Sequence, residues 1–412
     1  MSRRLPAGPG AAILVAVAGF ALITAVMSIH GFMPYDHPSY VHYDHMAYLA
    51  MAREGPGVSG QASTPPFCWR LLTPWLAGLM PCQAPLAFFL INAAALLGTS
   101  LALYAYARQA GLSRGWSLFA QAGHFSCFWA AGYLVWGYIM VDAVSLLVGV
   151  LGMLVIERES WSLPRRLAVL VPLLIVGAAN KESTLAVAAA VAVYGWTRTQ
   201  GGVGRRLWPG LVTVLPVIAT LALIRLWIAA DPSQVTDFPQ PYSPVKIVLE
   251  MIRVRLSSLP SWMMDALVDP WGPLILVPLL SPVVGTIAWF RRHPHRLMFV
   301  MAAFGQTLIG TSVGRLVILC MPVLVLLSTE RIRDRLSEVP RRGWTITFLF
   351  ACQLIFQYLR RTTLGLGVPP YSPLPIVRLA YLIRAASFAA FAAAWLLAIR
   401  RSGARPAVDR AA

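Results

Sequence analysis

Charge is scarce in this chain. Of its 412 residues only 12% are charged, against 58% hydrophobic, roughly half the charge density of an average soluble domain. So little polar surface over so long a chain excludes a water-soluble enzyme and a disordered polymer. Lysine is almost missing: Lys181 and Lys246 are the only two, so the formal net charge of +18 is carried by arginine. The five cysteines, Cys68, Cys82, Cys127, Cys320 and Cys352, form no Cys-x-x-Cys pair, which leaves no basis for a zinc site or a redox pair. Cys68 and Cys82 fall in one expected loop, where they are either a disulfide or two separate interface cysteines. No P-loop and no Gly-x-Gly-x-x-Gly after a strand is present, so a nucleotide is not expected.

Long apolar runs are what the chain has instead. They predict an all-α polytopic membrane protein with about twelve transmembrane helices in a single membrane domain, 1–412. The spans expected are roughly 11–29, 84–107, 116–136, 139–156, 167–180, 183–196, 209–229, 271–290, 297–312, 314–328, 343–359 and 374–399. Several are too short to cross straight. The first run follows Arg3 and Arg4 but has no small-residue cleavage site, so it reads as a helix rather than a removable signal. With the N-terminus inside, 22 of the 34 basic residues fall on internal segments. That bias predicts both termini in the cytoplasm and a bacterial cytoplasmic membrane as the location. Because the arginines lie in small clusters between apolar runs, not along one soluble face, nucleic acid is not an expected partner.

Two external loops are expected to be long, 30–83 and 230–270, and length of that kind often carries function. The first includes a proline-rich apolar stretch, PPFCWRLLTPWLAGLMP, too short to span and expected to be re-entrant or interfacial. The second includes 245–259, with apolar residues near helical spacing and bases at Lys246, Arg253 and Arg255, the pattern of an amphipathic helix lying on a membrane.

Ionisable residues near hydrocarbon cost free energy, so those retained there are informative. The first loop reads MPYDHPSYVHYDHMAYLAMAREG and holds Asp36, His37, His42, Asp44 and His45. Asp44, Tyr48 and Met51 share one face if this stretch is helical. Arg70 follows in PFCWRLL, Asp142 in GYIMVDAVSLL, Lys181 and Glu182 in AANKESTLA, and Arg315 in GTSVGRLVILCMP. The expected topology gathers Asp36, Asp44, Arg70, Asp142, Lys181, Glu182 and Arg315 near the outer leaflet. Each has a plainer reading: Lys181 and Glu182 as a neutralised turn, Asp142 as a helix N-cap, Arg315 as the partner of an acid or a lipid phosphate, the histidines as loop side chains. His37, His42 and His45, with Asp44, also have the donor types for a divalent metal ion, at a spacing that matches no established pattern.

An acid beside bases in a cavity open to the outer leaflet suits transfer from a lipid phosphate. A carboxylate takes the proton of an incoming hydroxyl, while Arg and Lys hold the phosphate and the charge it gains as it leaves. The succession YDHMAYLAMA, PFCWRLLTPWL, an Asp at the outer end of the fourth helix, NKES between short helices and GRLVILCMPVLVLL resembles the GT-C superfamily of integral-membrane glycosyltransferases that use polyprenyl-phosphate sugars. The resemblance covers roughly 11–330 and rests on order and topology. It implies Asp44 as the base with Asp36 as its alternate, and Lys181 and Arg315, with Arg70, at the donor phosphate. Asp142 and Glu182 would orient those bases or the acceptor, and Tyr43 and Tyr48 are expected to touch substrate. It further implies a polyprenyl-phosphate-linked sugar donor, membrane lipids as surroundings, and an envelope glycan, lipid or protein as acceptor. The chain departs from the family's paired acidic signature, since Asp36 and Asp44 are eight apart. Three other classes remain open: a transporter or flippase of a lipid-linked or anionic substrate, a polysaccharide polymerase or ligase, and a non-catalytic scaffold or assembly factor. A transporter is expected to show repeated halves, and no repeat is evident.

Overall fold

The computed structural model describes residues 9–32, 35, 44–58, 60–231, 233, 244–308, 313–337, 339, 342–363 and 374–401. Among these every regular element is helical and none is a strand. Helix α1, Pro9–His30, begins at a proline, where the missing N–H is no loss. The short α2, Asp44–Glu54, and α3, Leu72–Leu79, pack on each other so closely that a Cβ on Gly78 would come within 2.5 Å of the Ala52 carbonyl. Long α4, Ala84–Gln109, ends at Gly111, whose φ of 86° turns the chain back into α5, Arg114–Ser126. Extended Cys127 then breaks the path, and a wide turn, Phe128–Gly132, leads to the single turn α6, Tyr133–Trp136. The expected span 116–136 is therefore two helical pieces.

Helices α7, Asp142–Ile156, α8, Leu163–Asn180, α9, Leu185–Arg198, and α10, Val203–Trp227, pack as neighbours. A Cβ on Gly177 would meet Val148 and Thr184 at 2.7 Å, so α8 approaches α7 and the start of α9 almost backbone to side chain. Beyond α11, Pro244–Ser257, and α12, Leu259–Met263, the chain bends by 99° between Leu259–Val268 and Gly272–Leu280, the latter ending in α13, Leu276–Leu280. Then follow α14, Val283–Arg292, α15, Pro294–Gln306, α16, Val313–Val317, α17, Met321–Leu336, α18, Arg342–Thr363, and α19, Leu374–Arg401.

Among the described residues six helical segments are long and apolar enough to cross a membrane: Pro9–Ser28, Ala84–Gln109, Leu163–Asn180, Val203–Trp227, Val313–Leu336 and Arg378–Arg401, or seven spans if the bent pair counts as one. The chain is a membrane protein by that criterion, with fewer full-length spans than the twelve expected. Helices α7, α9 and α15, in three of the expected spans, have 15, 14 and 13 residues, or about 20 Å of rise each, short of the roughly 30 Å of hydrocarbon. Val313–Leu336 is the innermost span, with 83% of its apolar window buried, against 28% for Val203–Trp227. The latter turns Leu226 and Trp227 outward at 84% and 75% exposure, as a lipid-facing surface does.

The amphipathic helix expected at 245–259 is α11, whose exposed Val245, Leu249 and Leu256 fall on one stripe beside Lys246, Glu250 and Arg253. In the first expected loop, Cys68 and Cys82 are both free thiols, so no disulfide joins them.

Candidate functional site

Five separate stretches of chain bring six ionisable side chains to one end of the helices. The α8–α9 junction supplies Lys181 and Glu182, α7 begins at Asp142, α2 begins at Asp44, the turn before α3 carries Arg70, and α16 carries Arg315. The backbone that leads into Asp142 is shaped by two asparagines. Asn92, on α4, donates to the carbonyls of Tyr138 and, at 3.0 Å, Met140. Asn180, the last residue of α8, donates to the Val141 carbonyl at 2.8 Å and the Ser145 hydroxyl at 2.9 Å, and accepts from Thr73 at 2.6 Å. One buried amide thus ties the ends of α8 and α7 to α3.

Arg315 is the centre of the cluster. Its Nη2 lies 2.7 Å from Asp44 Oδ2 and 2.8 Å from Asp142 Oδ2, and its Nε reaches the same Asp142 oxygen at 3.2 Å. Lys181 Nζ lies 2.5 Å from Asp142 Oδ1. Asp142 therefore has cations on both oxygens, whereas Asp44 shares a single guanidinium nitrogen. All three are deep: Asp44 and Asp142 are 6% exposed and Lys181 4%. Tyr133 lies under Arg315, 5.9 Å from ring centre to guanidinium, a cation–π contact.

Arg70 makes a second unit beside the first. It holds Glu182 through two nitrogens, at 2.5 and 3.2 Å, and donates to the Tyr48 hydroxyl at 2.9 Å. Burial by itself would raise the Glu182 carboxyl, but the Arg70 guanidinium overrides it and holds it down at about 2. His45, next to Asp44, is pulled below its ordinary value by burial, against the opposing pull of the Tyr35 carbonyl that it meets at 3.2 Å.

Between α7, the start of α9, α15 and α16 lies a narrow recess of about 10 Å³, lined by Asp142, Ser145, Lys181, Ser183, Gln306 and Arg315 together with four apolar side chains. The Ser183 hydroxyl is buried and has no hydrogen-bond partner. Two cations and a spare hydroxyl thus stand at the edge of a small, largely apolar recess.

Seven of the expected residues, Asp44, Tyr48, Arg70, Asp142, Lys181, Glu182 and Arg315, stand together. Asp36, His37, His42 and Tyr43 lie outside the described residues. Two of the plainer readings change. Asp142 is not an N-cap, since Val141 holds that place and no side chain caps the helix. Lys181 and Glu182 do not neutralise each other, because each pairs with a residue from another stretch. Among the described residues no group of three His, Cys, Asp or Glu is placed to hold a metal. Sequence reasoning passed over Asn180, Thr73, Ser145, Ser183 and Gln306. Their only signal is a small polar side chain within an otherwise apolar helix.

No protein-family profile matches this chain, and no curated protein matches it. Among solved structures, the Archaeoglobus fulgidus oligosaccharyltransferase, crystallised with an acceptor peptide containing the NVT sequon tethered by a disulfide, is similar over 94% of this chain at 10% identity and a TM-score of 0.42. The chain spans 55% of that protein's length. A likeness at that score fixes neither the fold nor any residue's role.

Proposed function

We propose that this chain is a GT-C-type membrane glycosyltransferase that moves a sugar from a polyprenyl-phosphate donor to a hydroxyl or amide of an envelope glycan, lipid or protein on the external face. The observation that carries the reading is Arg315 bridging Asp44 and Asp142 at 2.7 and 2.8 Å beside a narrow recess. A guanidinium shared by two carboxylates can turn to a phosphate without leaving both acids unpaired, because Asp142 keeps Lys181.

In this mechanism the donor phosphate widens the recess and takes up Arg315, Lys181 turns a second N–H to it while keeping Asp142, and Ser183 donates its free hydroxyl. Asp44 loses its one cationic contact at that moment and its Oδ2 lone pair becomes available. The acceptor oxygen or nitrogen attacks the anomeric carbon, the bond from that carbon to the phosphate oxygen breaks, and the electron pair leaves with the polyprenyl phosphate. Asp44 receives the acceptor's proton. The cations stabilise the charge gathering on the leaving phosphate. A single displacement of this kind inverts the anomeric centre. Asp142, held on both oxygens, orients the two cations, and Arg70, through Glu182 and Tyr48, fixes α2 with Asp44 on the Arg315 guanidinium. Asp36 is the alternate base, and Tyr43 is a further candidate for contact with substrate.

The test is transfer from a panel of radiolabelled polyprenyl-phosphate sugars by purified protein in membranes, with Asp44→Asn beside the wild type. Transfer by the wild type that is lost in a folded Asp44→Asn supports the reading. Transfer that survives moves the base to Asp36, and a wild type that carries labelled lipid across the bilayer without transferring sugar overturns the assignment in favour of a flippase.

A further inference from the structure

Two residues outside the proposed mechanism meet the backbone next to Arg315. Trp129, in the wide turn after α5, lies against Gly314: a Cβ there would stand 2.7 Å from the indole ring, so the close approach requires glycine. The indole Nε1–H donates to Asp269 Oδ2 at 2.8 Å. Tyr133, which lies under the Arg315 guanidinium, has its ring centre 4.6 Å from that of Trp129. The two rings therefore make one shelf, with the Gly314 backbone on the indole and the Arg315 guanidinium on the tyrosine ring.

Trp129 and Asp269 come from two irregular stretches, the break after α5 and the 99° bend before α13. Helix α18 holds both. Gln357 accepts the Phe128 N–H at 3.3 Å and donates to the Asp269 carbonyl at 3.2 Å. One turn earlier, Gln353 accepts the Leu274 N–H and donates to the Trp271 carbonyl, each at 2.9 Å. Both amides are buried, and they satisfy backbone groups left over at the break and the bend. The residue before Trp129 and the backbone of Asp269 are thus fixed by one side chain, which brings the indole to the carboxylate. Asp269 also faces Arg384, at the longer distance of 3.9 Å.

Helix α16, which carries Arg315, has only five residues, too few to keep its place by its own hydrogen bonds. Its position needs support from outside the helix, and the shelf supplies it. We infer that Trp129 and Asp269 are positioning residues for Arg315: the Asp269 carboxylate fixes the indole, the indole fixes Gly314, and Arg315 is thereby held where it reaches both Asp44 and Asp142. The effect of this placement on sugar transfer rests on the glycosyltransferase reading; the placement itself does not.

Backbone hydrogen exchange over 313–320, read by mass spectrometry on the full chain in lipid nanodiscs, tests the placement, and initial rates of sugar transfer test its use. The pair compared is Asp269→Leu, which leaves the indole N–H without its acceptor, and Asp269→Asn, whose amide oxygen still accepts it. Both remove the charge beside Arg384, so the difference between them isolates the indole hydrogen bond. Exchange is expected to be about tenfold faster than wild type in Asp269→Leu and within about twofold of it in Asp269→Asn. In the same way kcat should fall about tenfold in Asp269→Leu alone, with the KM for donor nearly unchanged. Where Asp269→Leu does not fold, Trp129→Phe, which keeps a ring and loses the N–H, is expected to move both readouts in the same direction. Wild-type exchange over 313–320 in a folded Asp269→Leu, or in Trp129→Phe in its place, overturns the placement. Faster exchange with an unaltered kcat overturns the positioning role in transfer. A wild type that transfers no sugar overturns the glycosyltransferase reading alone, and exchange then decides this inference.

Discussion

Two buried charge clusters, one at each end of the molecule, differ in a way that separates scaffolding from chemistry. At one end Glu157, which closes α7, accepts from Tyr106 at 2.8 Å, from His295 at 2.9 Å and from Arg296 at 2.8 and 2.5 Å. Both its oxygens are taken, Arg296 is further packed between the rings of Tyr106 and Trp289, and the residues come from α4, α7 and α15. Although His295 Nδ1 has no partner, the carboxylate itself is fully engaged, and the knot pins three helices. At the other end Arg315 divides itself between two acids, Asp44 has one cationic contact, a serine hydroxyl is unused, and a narrow recess lies alongside. A cluster whose members can change partners can do work; one whose members cannot holds the fold.

The sharpest way to break this comparison is to neutralise one acid in each cluster. Asp44→Asn is expected to lower sugar transfer about a thousandfold while leaving the melting temperature nearly unchanged. Glu157→Gln, by contrast, should cost about 3 kcal/mol of stability by stranding Arg296 and leave the activity of the surviving folded protein within a few-fold of wild type. A thermal melt and a transfer assay on the same two samples check both, and a Glu157 variant that folds normally but fails to transfer would erase the distinction. Next in size is Lys181→Met, expected to raise the KM for donor about tenfold with a smaller change in kcat, because Arg315 remains at the phosphate. Initial-rate kinetics over a range of donor concentrations read that split.

A pH series sharpens the comparison at lower amplitude. Glu182 is held at about 2 against an ordinary 4.5, so its pairing with Arg70 adds stability that is complete above the ordinary value and fades as pH falls toward the lower one. Melting curves of the wild type and Glu182→Gln should therefore differ most at pH 7, approach each other below pH 4.5 and converge only near pH 2. The smallest effect expected is that of Tyr48→Phe, which removes one acceptor from Arg70 and should cost about 1 kcal/mol, with transfer reduced no more than a few-fold.

The sequence announced the ionisable half of the candidate site because charges are rare in apolar chains. Asp142, Lys181 and Arg315 each interrupt a hydrophobic run, and a topology built from arginine clusters was enough to gather them at one end. It did not announce the partners, since Lys181 and Glu182 are adjacent in the chain yet pair with Asp142 and Arg70, drawn from stretches far away. Nor were Asn180 and Asn92 visible, for an amide in an apolar helix looks the same whether it shapes a turn or faces a neighbour. Helix existence was legible from hydropathy, but full length was not: among the described residues six of the expected twelve spans are long and apolar enough to cross. Fourteen apolar residues such as those of α9 read as a crossing when only their length tells otherwise, and the break at Cys127 has no proline or glycine at its centre to mark it.

Three carboxylates, those of Asp44, Asp142 and Glu182, stand with three cations, Arg70, Lys181 and Arg315, within one cluster. Viewed from a Debye length away such a group has no net field, whatever the strength of its internal contacts. The cluster itself gives a negatively charged ligand no long-range pull through water, and on the proposed function a lipid-linked donor would reach it by sideways diffusion within the lipid layer. Capture should then hardly respond to ionic strength, while the number of productive collisions follows the density of donor molecules in the bilayer.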